Sequence, residues 1–443
     1  MGHADSNATA PVALARRLVM AGRRAEAEQV VAGLISGKLG IAIRRASIHA
    51  DWTSLNSLNG IVDTEDGRCF FFKFHQEEGE EATVREYYRA ELLERAGLPV
   101  DMPAMMCRET GHQILLYAFR RDRQLADLCL EAEREPDESV TAEIVGLQRD
   151  LDRLTCSIYL ATLHASDAQR SSAEAVHQLF HNRLWTPPAS DKLAGRVTRF
   201  YASGALRLPG TELAWDEFKR LRWRINGVDY RHNFEELFQE SLRRLHPSRL
   251  GASGAVTGHG DAHNANVWVE RRDGHSRLLL FDPAFAGEHM PALLADVKAT
   301  FHNVFAHPLW LYHPAQADER YHVEVALEGD RLIVEHDWTL TPLRQGFLAA
   351  KVELIWRPLL EALGARGWLP DDWQRVLRCA LFCCPTLVMN LRADTAHGAT
   401  AGRSASISAL SFAIAVMAGS EPESGGPDPF AQFLAAIAPA RAA

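Results

Sequence analysis

The sequence predicts an α+β protein in two lobes, a small antiparallel-sheet lobe followed by a mostly helical one. Three observations carry this expectation. Short apolar or alternating runs separated by turn signals fill much of the first 120 residues, a breaker-free helical stretch interrupts them once, and helical spacing dominates from residue 147 onward. The chain has 443 residues, long enough for two packed units, and at 47% hydrophobic and 24% charged residues it can bury a core along most of its length.

Residues 10–37 place Val12, Leu14, Leu18, Val19, Ala27, Val30, Val31 and Leu34 at helical spacing, which predicts one or two amphipathic helices as an extension over 1–40. Strands are expected over 41–48, 60–63 and 69–75, with turns at Leu58-Asn59-Gly60 and Glu65-Asp66-Gly67. A helix over 80–96 ends at Gly97 with Pro99 just beyond. Residues 104–107 and 113–119 complete the sheet, so the first lobe spans 41–120, and the polar stretch 120–123 is the expected hinge.

In the second lobe, 121–443, helical spacing predominates over 147–165, 173–183, 215–224 and 234–245. Short β runs interrupt it at 255–257 and at 267–270 paired with 278–281 across Arg272-Asp273-Gly274-His275. A further, inserted hairpin is expected over 321–336, turning at Glu328-Gly329-Asp330.

Charge excludes some functions. Lys plus Arg number 48 and Asp plus Glu 57, giving −9, and no basic block is present to track a phosphate backbone, so no nucleic-acid partner is expected. Arg16, Arg17, Arg23 and Arg24 break up any signal-like apolar run, and the longest apolar window, 407–419, is too short to span a bilayer. A soluble cytoplasmic protein with no membrane partner is the expectation. The seven cysteines form no CxxC pair, and Cys379, Cys383 and Cys384 lie in an apolar helical run where cysteine behaves as a small buried hydrophobe.

The densest polar cluster is His259-Gly260-Asp261-Ala262-His263-Asn264-Ala265-Asn266, followed after a hairpin by Asp282 at a strand end. In the first lobe, Lys73 stands inside Phe70-Phe71-Phe72-Lys73-Phe74, where a charge is costly unless paired or bound to phosphate. Phosphoryl transfer needs these residue types: a carboxylate to orient the attacking hydroxyl, an amide and a second carboxylate for magnesium, and a lysine for the nucleotide phosphates.

Asp261 with Asn266 five positions on, then Asp282, resembles the catalytic loop and metal aspartate of the protein kinase-like fold. The His-Gly-Asp form resembles the aminoglycoside phosphotransferase and choline kinase superfamily. The metal aspartate is followed by Pro283 and Ala284 instead of the Phe-Gly of protein kinases, which favours a small-molecule acceptor. The resemblance implies Asp261 as catalytic base, His259 as orienting residue of its loop, and Asn266 and Asp282 as magnesium ligands. It further implies that Lys73 pairs with Glu86, with Glu91 as fallback, to position the nucleotide phosphates. Ser54, Asn56 and Ser57 would cover those phosphates in a loop with one glycine, Gly60, where protein kinases have three. Asp296 resembles the acidic residue that begins the next helix as cap or brace. Leu160-Ala161-Thr162-Leu163-His164 resembles a run on the helix behind the catalytic loop.

The expected function is ATP-dependent transfer of the γ-phosphate to a hydroxyl of an aminoglycoside-, amino alcohol- or sugar-like small molecule, with Mg2+ as metal and GTP as the alternative nucleotide. Two other readings compete: a metal-dependent hydrolase built on His259, Asp261 and His263, and a nucleotide-binding pseudokinase. The histidines at 302, 307 and 313 fit no standard ligand spacing and read as satisfied packing or substrate-contact groups.

Overall fold

The computed structural model describes residues 11–49, 57–75, 89–109, 112–187, 191–393, 402–424, 426 and 428–439. They fall into two units: residues up to 91 together with 100–122, and 92–99 together with 123–443.

The first unit opens with helices α1 (Pro11–Met20) and α2 (Arg24–Leu39). Strands β1 (Ile43–Ile48), β2 (Ser57–Thr64) and β3 (Cys69–His75) follow, and later strands β4 (Met105–Cys107) and β5 (Ile114–Ala118); the short helix α3 (Ala90–Ala96), which precedes β4 in the chain, belongs to the second unit from Leu92 onward. The sheet is antiparallel in the order β1-β2-β3-β5-β4. Val12, Ala15 and Leu18 of α1 and Ala27, Val31, Leu34 and Ile35 of α2 share one core with Ile48, Val62, Phe70, Phe72, Ile114 and Leu116 of the sheet. The N-terminal helices are therefore part of this unit's core, because a sheet with an apolar face needs a covering layer.

Period-two alternation divides β3. Phe70 and Phe72 enter that core, while Phe71 packs with Leu115 and Tyr117 in a second cluster on the other side. Lys73 follows Phe71 in phase, opposite Leu115 in register, and is buried.

The expected turn at Leu58-Asn59-Gly60 is corrected: these residues lie inside β2, with Gly60 opposite Ile48 and Phe72. A Cβ at Gly60 would come 2.1 Å from the Ser47 carbonyl oxygen, so glycine serves strand approach here and not chain reversal. The turn at Glu65-Asp66-Gly67 forms, with Gly67 at φ +84°.

In the second unit the helix Glu138–Thr162 starts at an Asp137 cap, whose side chain accepts from Val140 N–H. The helix Ala405–Gly419 is buried from Ile407 to Gly419, which explains its uninterrupted apolar sequence as a core helix. Among the described residues no helix is long and apolar enough to cross a membrane. Cys379, Cys383 and Cys384 are buried in the helix Trp373–Val388.

The hairpin Val323–Glu328 with Arg331–His336 forms, and Arg222–Ile225 adds to it in parallel, with Val228–Tyr230 beyond. This corrects the helical expectation over 215–224, of which only Trp215–Phe218 is α-helical. Trp223 and Ile225 are both buried, a period-two pattern too short to stand out beside the preceding helical turn. Residues 173–183 likewise form short 3-10 turns, Ala175–Leu179 and His181–Arg183. Residues 174–181 are buried throughout, so no solvent-facing stripe marks this segment as an amphipathic helix.

Candidate active site

The strand Ala255–Gly258 pairs antiparallel with Gly287–Pro291 and delivers the chain to His259. Gly260 permits the turn that follows: its φ is +78°, and a Cβ there would lie 2.8 Å from the Phe285 carbonyl oxygen. The loop closes through the 3-10 turn Asn264–Asn266 and continues as the strand Val267–Arg272. His275–Leu280 pairs back on that strand with Leu280 opposite Val267, and Phe281 N–H donates to the Asn266 carbonyl at 3.0 Å. Asp261, Asn266 and Asp282 thus meet at one end of one hairpin.

His259 is buried, and main-chain atoms engage both of its ring nitrogens. Nδ1 accepts from Asp261 N–H at 3.3 Å, which leaves Nε2–H to donate to the Phe281 carbonyl at 2.9 Å. Burial lowers the His259 pKa, which favours the neutral ring that this pattern requires. The histidine therefore ties the loop to the segment leading into Asp282. It also weakens the hydrolase reading, since a zinc-binding His259 would have to abandon one of these bonds.

Asn266 Nδ2 donates to the Asp261 carbonyl at 2.9 Å, leaving the side-chain oxygen as the atom available to a cation. Asp282 has φ +57°, a left-handed conformation uncommon outside glycine, though one that aspartate adopts more readily than most residues. Asp261 directs Oδ2 toward His263 Nε2 at 3.9 Å and Oδ1 toward Lys298 Nζ at 4.0 Å.

The loop is braced from behind. Asn264 N–H donates to Asn303 Oδ1 at 2.8 Å, and the Asn303 carbonyl accepts from Arg344 Nη1 at 2.7 Å. Arg344 is fully buried and forms a two-pronged pair with Glu133, both bonds 2.9 Å. Asp296 begins the helix Val297–Thr300, but its side chain makes no cap bond there. Lys351 instead stands 2.9 Å from Asp296 and 2.8 Å from Asp152, and burial alone would lower its pKa, but the two carboxylates raise it. His164, at the end of the long helix, bonds His289 at 2.9 Å, and its N–H and carbonyl join Ala255.

Sequence reasoning missed Lys298, Asn303, Arg344, Glu133, Lys351 and Asp152, and left His302 without a partner. A signal existed for Lys298 and His302: both interrupt the apolar run Val297-Lys298-Ala299-Thr300-Phe301-His302, four residues apart on one helical face. In the first unit, Glu91 accepts from Arg108 at 3.3 Å. Glu86, Ser54 and Asn56 lie outside the described residues; Ser57 opens β2, and its side chain also lies outside the description.

No protein-family model and no curated protein matches the chain. The chain is similar to solved small-molecule kinases. A spectinomycin phosphotransferase in complex with ADP and spectinomycin is 12% identical, with TM-score 0.34, covering 88% of this chain and 98% of that one. An amicoumacin kinase in complex with AMP-PNP and Ca2+ is 13% identical, with TM-score 0.40, covering 84% and 87%. A microcompartment-associated aminopropanol kinase is 11% identical, with TM-score 0.38, covering 88% and 96%. At these TM-scores none of the likenesses carries the reading of the site, which rests on the residues themselves.

Proposed function

We propose that the protein is an ATP-dependent phosphotransferase that moves the γ-phosphate to a hydroxyl of a small molecule. The observation that carries this reading is the Asn266 bond to the Asp261 carbonyl: one interaction holds the loop that carries a carboxylate and leaves an amide oxygen to a cation, on the residue whose main chain bonds Phe281, the neighbour of Asp282. Asp261 is proposed to accept or orient the acceptor proton, with His259 holding its loop in place.

Asn266 and Asp282 suit magnesium, because both offer hard oxygen atoms and magnesium at a phosphate site needs only one or two protein ligands. Asn266 and Asp282 would hold the metal, which when bound would supply positive charge to neutralise the transferring group. Lys73, buried on an apolar strand of the first unit, is proposed to hold the nucleotide's phosphates, with Glu86 as its partner. ATP is the proposed nucleotide and GTP the alternative; the acceptor is an aminoglycoside-, amino alcohol- or sugar-like hydroxyl compound.

Calorimetry of ATP and GTP binding, with and without magnesium, tests the reading on the wild type and on Asp282→Ala. Magnesium-dependent binding lost in the variant, followed by phosphate transfer to members of an acceptor panel, is the expected result. A wild type that binds no nucleotide defeats it.

A further inference from the structure

Behind Asp261 lies a buried polar chain that the proposed reaction has not used. Lys298 is 3% exposed, and its Nζ stands 2.7 Å from His302 Nε2. His302 Nδ1 in turn meets the Tyr312 hydroxyl. A protonated lysine has only donors, so His302 must accept at Nε2 and carry its proton at Nδ1, facing Tyr312. The chain thus has a direction, and its open end is the ammonium, which faces Asp261 Oδ1 at 4.0 Å. Oδ1 is buried and accepts no hydrogen bond among the described residues.

Resting on the phosphotransfer reading, we propose that Lys298 is a positioning residue for Asp261: held from behind by His302 and Tyr312, its ammonium pins Oδ1 and leaves Oδ2 to meet the acceptor hydroxyl. A buried carboxylate oxygen without a donor is costly unless a cation answers it, and a movement of about 1 Å brings the pair to the length of a charged hydrogen bond. Lys298 contacts neither reacting atom; it acts through the orientation and charge of Asp261.

The groups facing Lys298 make this pin sensitive to pH. Burial lowers its pKa; Asp261 and Cys384 oppose that effect, while Arg183 and Arg196 reinforce it, and His302 on its own helix accepts a hydrogen bond from the ammonium. The sign follows: the pin holds while Lys298 is protonated and is lost as pH rises through a value below the ordinary lysine value of 10.5.

The test is single-turnover cleavage of bound Mg-ATP, with water or a panel hydroxyl compound as acceptor, alongside calorimetric ATP affinity. Lys298→Met is expected to slow cleavage on the order of 100-fold, the cost of a misplaced catalytic group, with ATP affinity unchanged. It should also remove an alkaline decline in rate that the wild type shows. Lys298→Arg is expected to restore part of the rate. In Asp261→Asn, adding Lys298→Met should cost little more, because both changes act on one group. Should Lys298→Met fail to fold, His302→Asn, which loosens the anchor and keeps the charge, should slow cleavage in the same direction.

A wild-type rate in Lys298→Met, or in His302→Asn where that variant stands in for it, overturns the role. So do effects of Lys298→Met and Asp261→Asn that multiply in full. No bound nucleotide, or bound nucleotide never cleaved by the wild type, defeats the phosphotransfer reading itself and the role with it.

Discussion

Asn266 gives its amide hydrogen to the main-chain carbonyl of Asp261 at 2.9 Å, so the two ends of a six-residue loop hold each other. Replacing Asn266 by Asp removes that donor and sets a carboxylate against a carbonyl. Magnesium-dependent ATP affinity should fall about 10- to 100-fold, the usual cost of disturbing groups that orient a metal ligand. Calorimetry at fixed magnesium reads it directly.

Asp261→Asn keeps the size of the side chain and removes its basicity. Transfer should drop by about 100- to 10,000-fold, the range for a positioned general base, while nucleotide affinity stays within error of the wild type. A turnover assay paired with calorimetry separates the two effects.

Asp282 sits at φ +57°, where alanine is strained by about 1–2 kcal/mol and glycine is not. Asp282→Gly should therefore unfold at higher temperature than Asp282→Ala, although both lose magnesium-dependent nucleotide binding. Thermal unfolding of the two variants compares them, and equal midpoints would count against strain at this residue.

Arg344 and Glu133 form a buried pair with side chains 0% and 2% exposed. Arg344→Met leaves Glu133 without its partner and should cost about 3–5 kcal/mol in urea unfolding. Arg344→Met combined with Glu133→Leu should recover part of this loss, because no orphaned charge then remains buried.

His177 and His181 are buried, and burial pushes each from 6.5 down to about 4. Between these values the unfolded chain binds protons that the folded chain refuses, so stability is complete above pH 6.5 and falls as pH drops toward 4. His177→Gln should flatten the pH dependence of the unfolding midpoint in this window. An unchanged slope would show that His177 is not one of its sources.

Much of this was legible in the primary structure, because local rules set it. The apolar run Phe70-Phe71-Phe72-Lys73-Phe74 marked a strand, Gly97 ended a helix, and the spacing from Asp261 to Asn266 to Asp282 follows from one short loop and one hairpin. Leu58-Asn59-Gly60 misled for a physical reason: glycine serves equally in a turn and where strands crowd, and only the Ser47 carbonyl beside Gly60 distinguishes the two.

The sequence by itself determined the α+β composition, the three polar positions of the loop and hairpin, and the buried cysteines, since each depends on neighbours a few residues apart. Tertiary structure alone decided what stands behind them. Lys298 reaches Asp261 across 37 positions, Lys351 reaches Asp152 across 199 and Arg344 reaches Glu133 across 211. Charges buried this deeply are stable only when a partner meets them, and periodicity carries no information about which distant segment brings that partner.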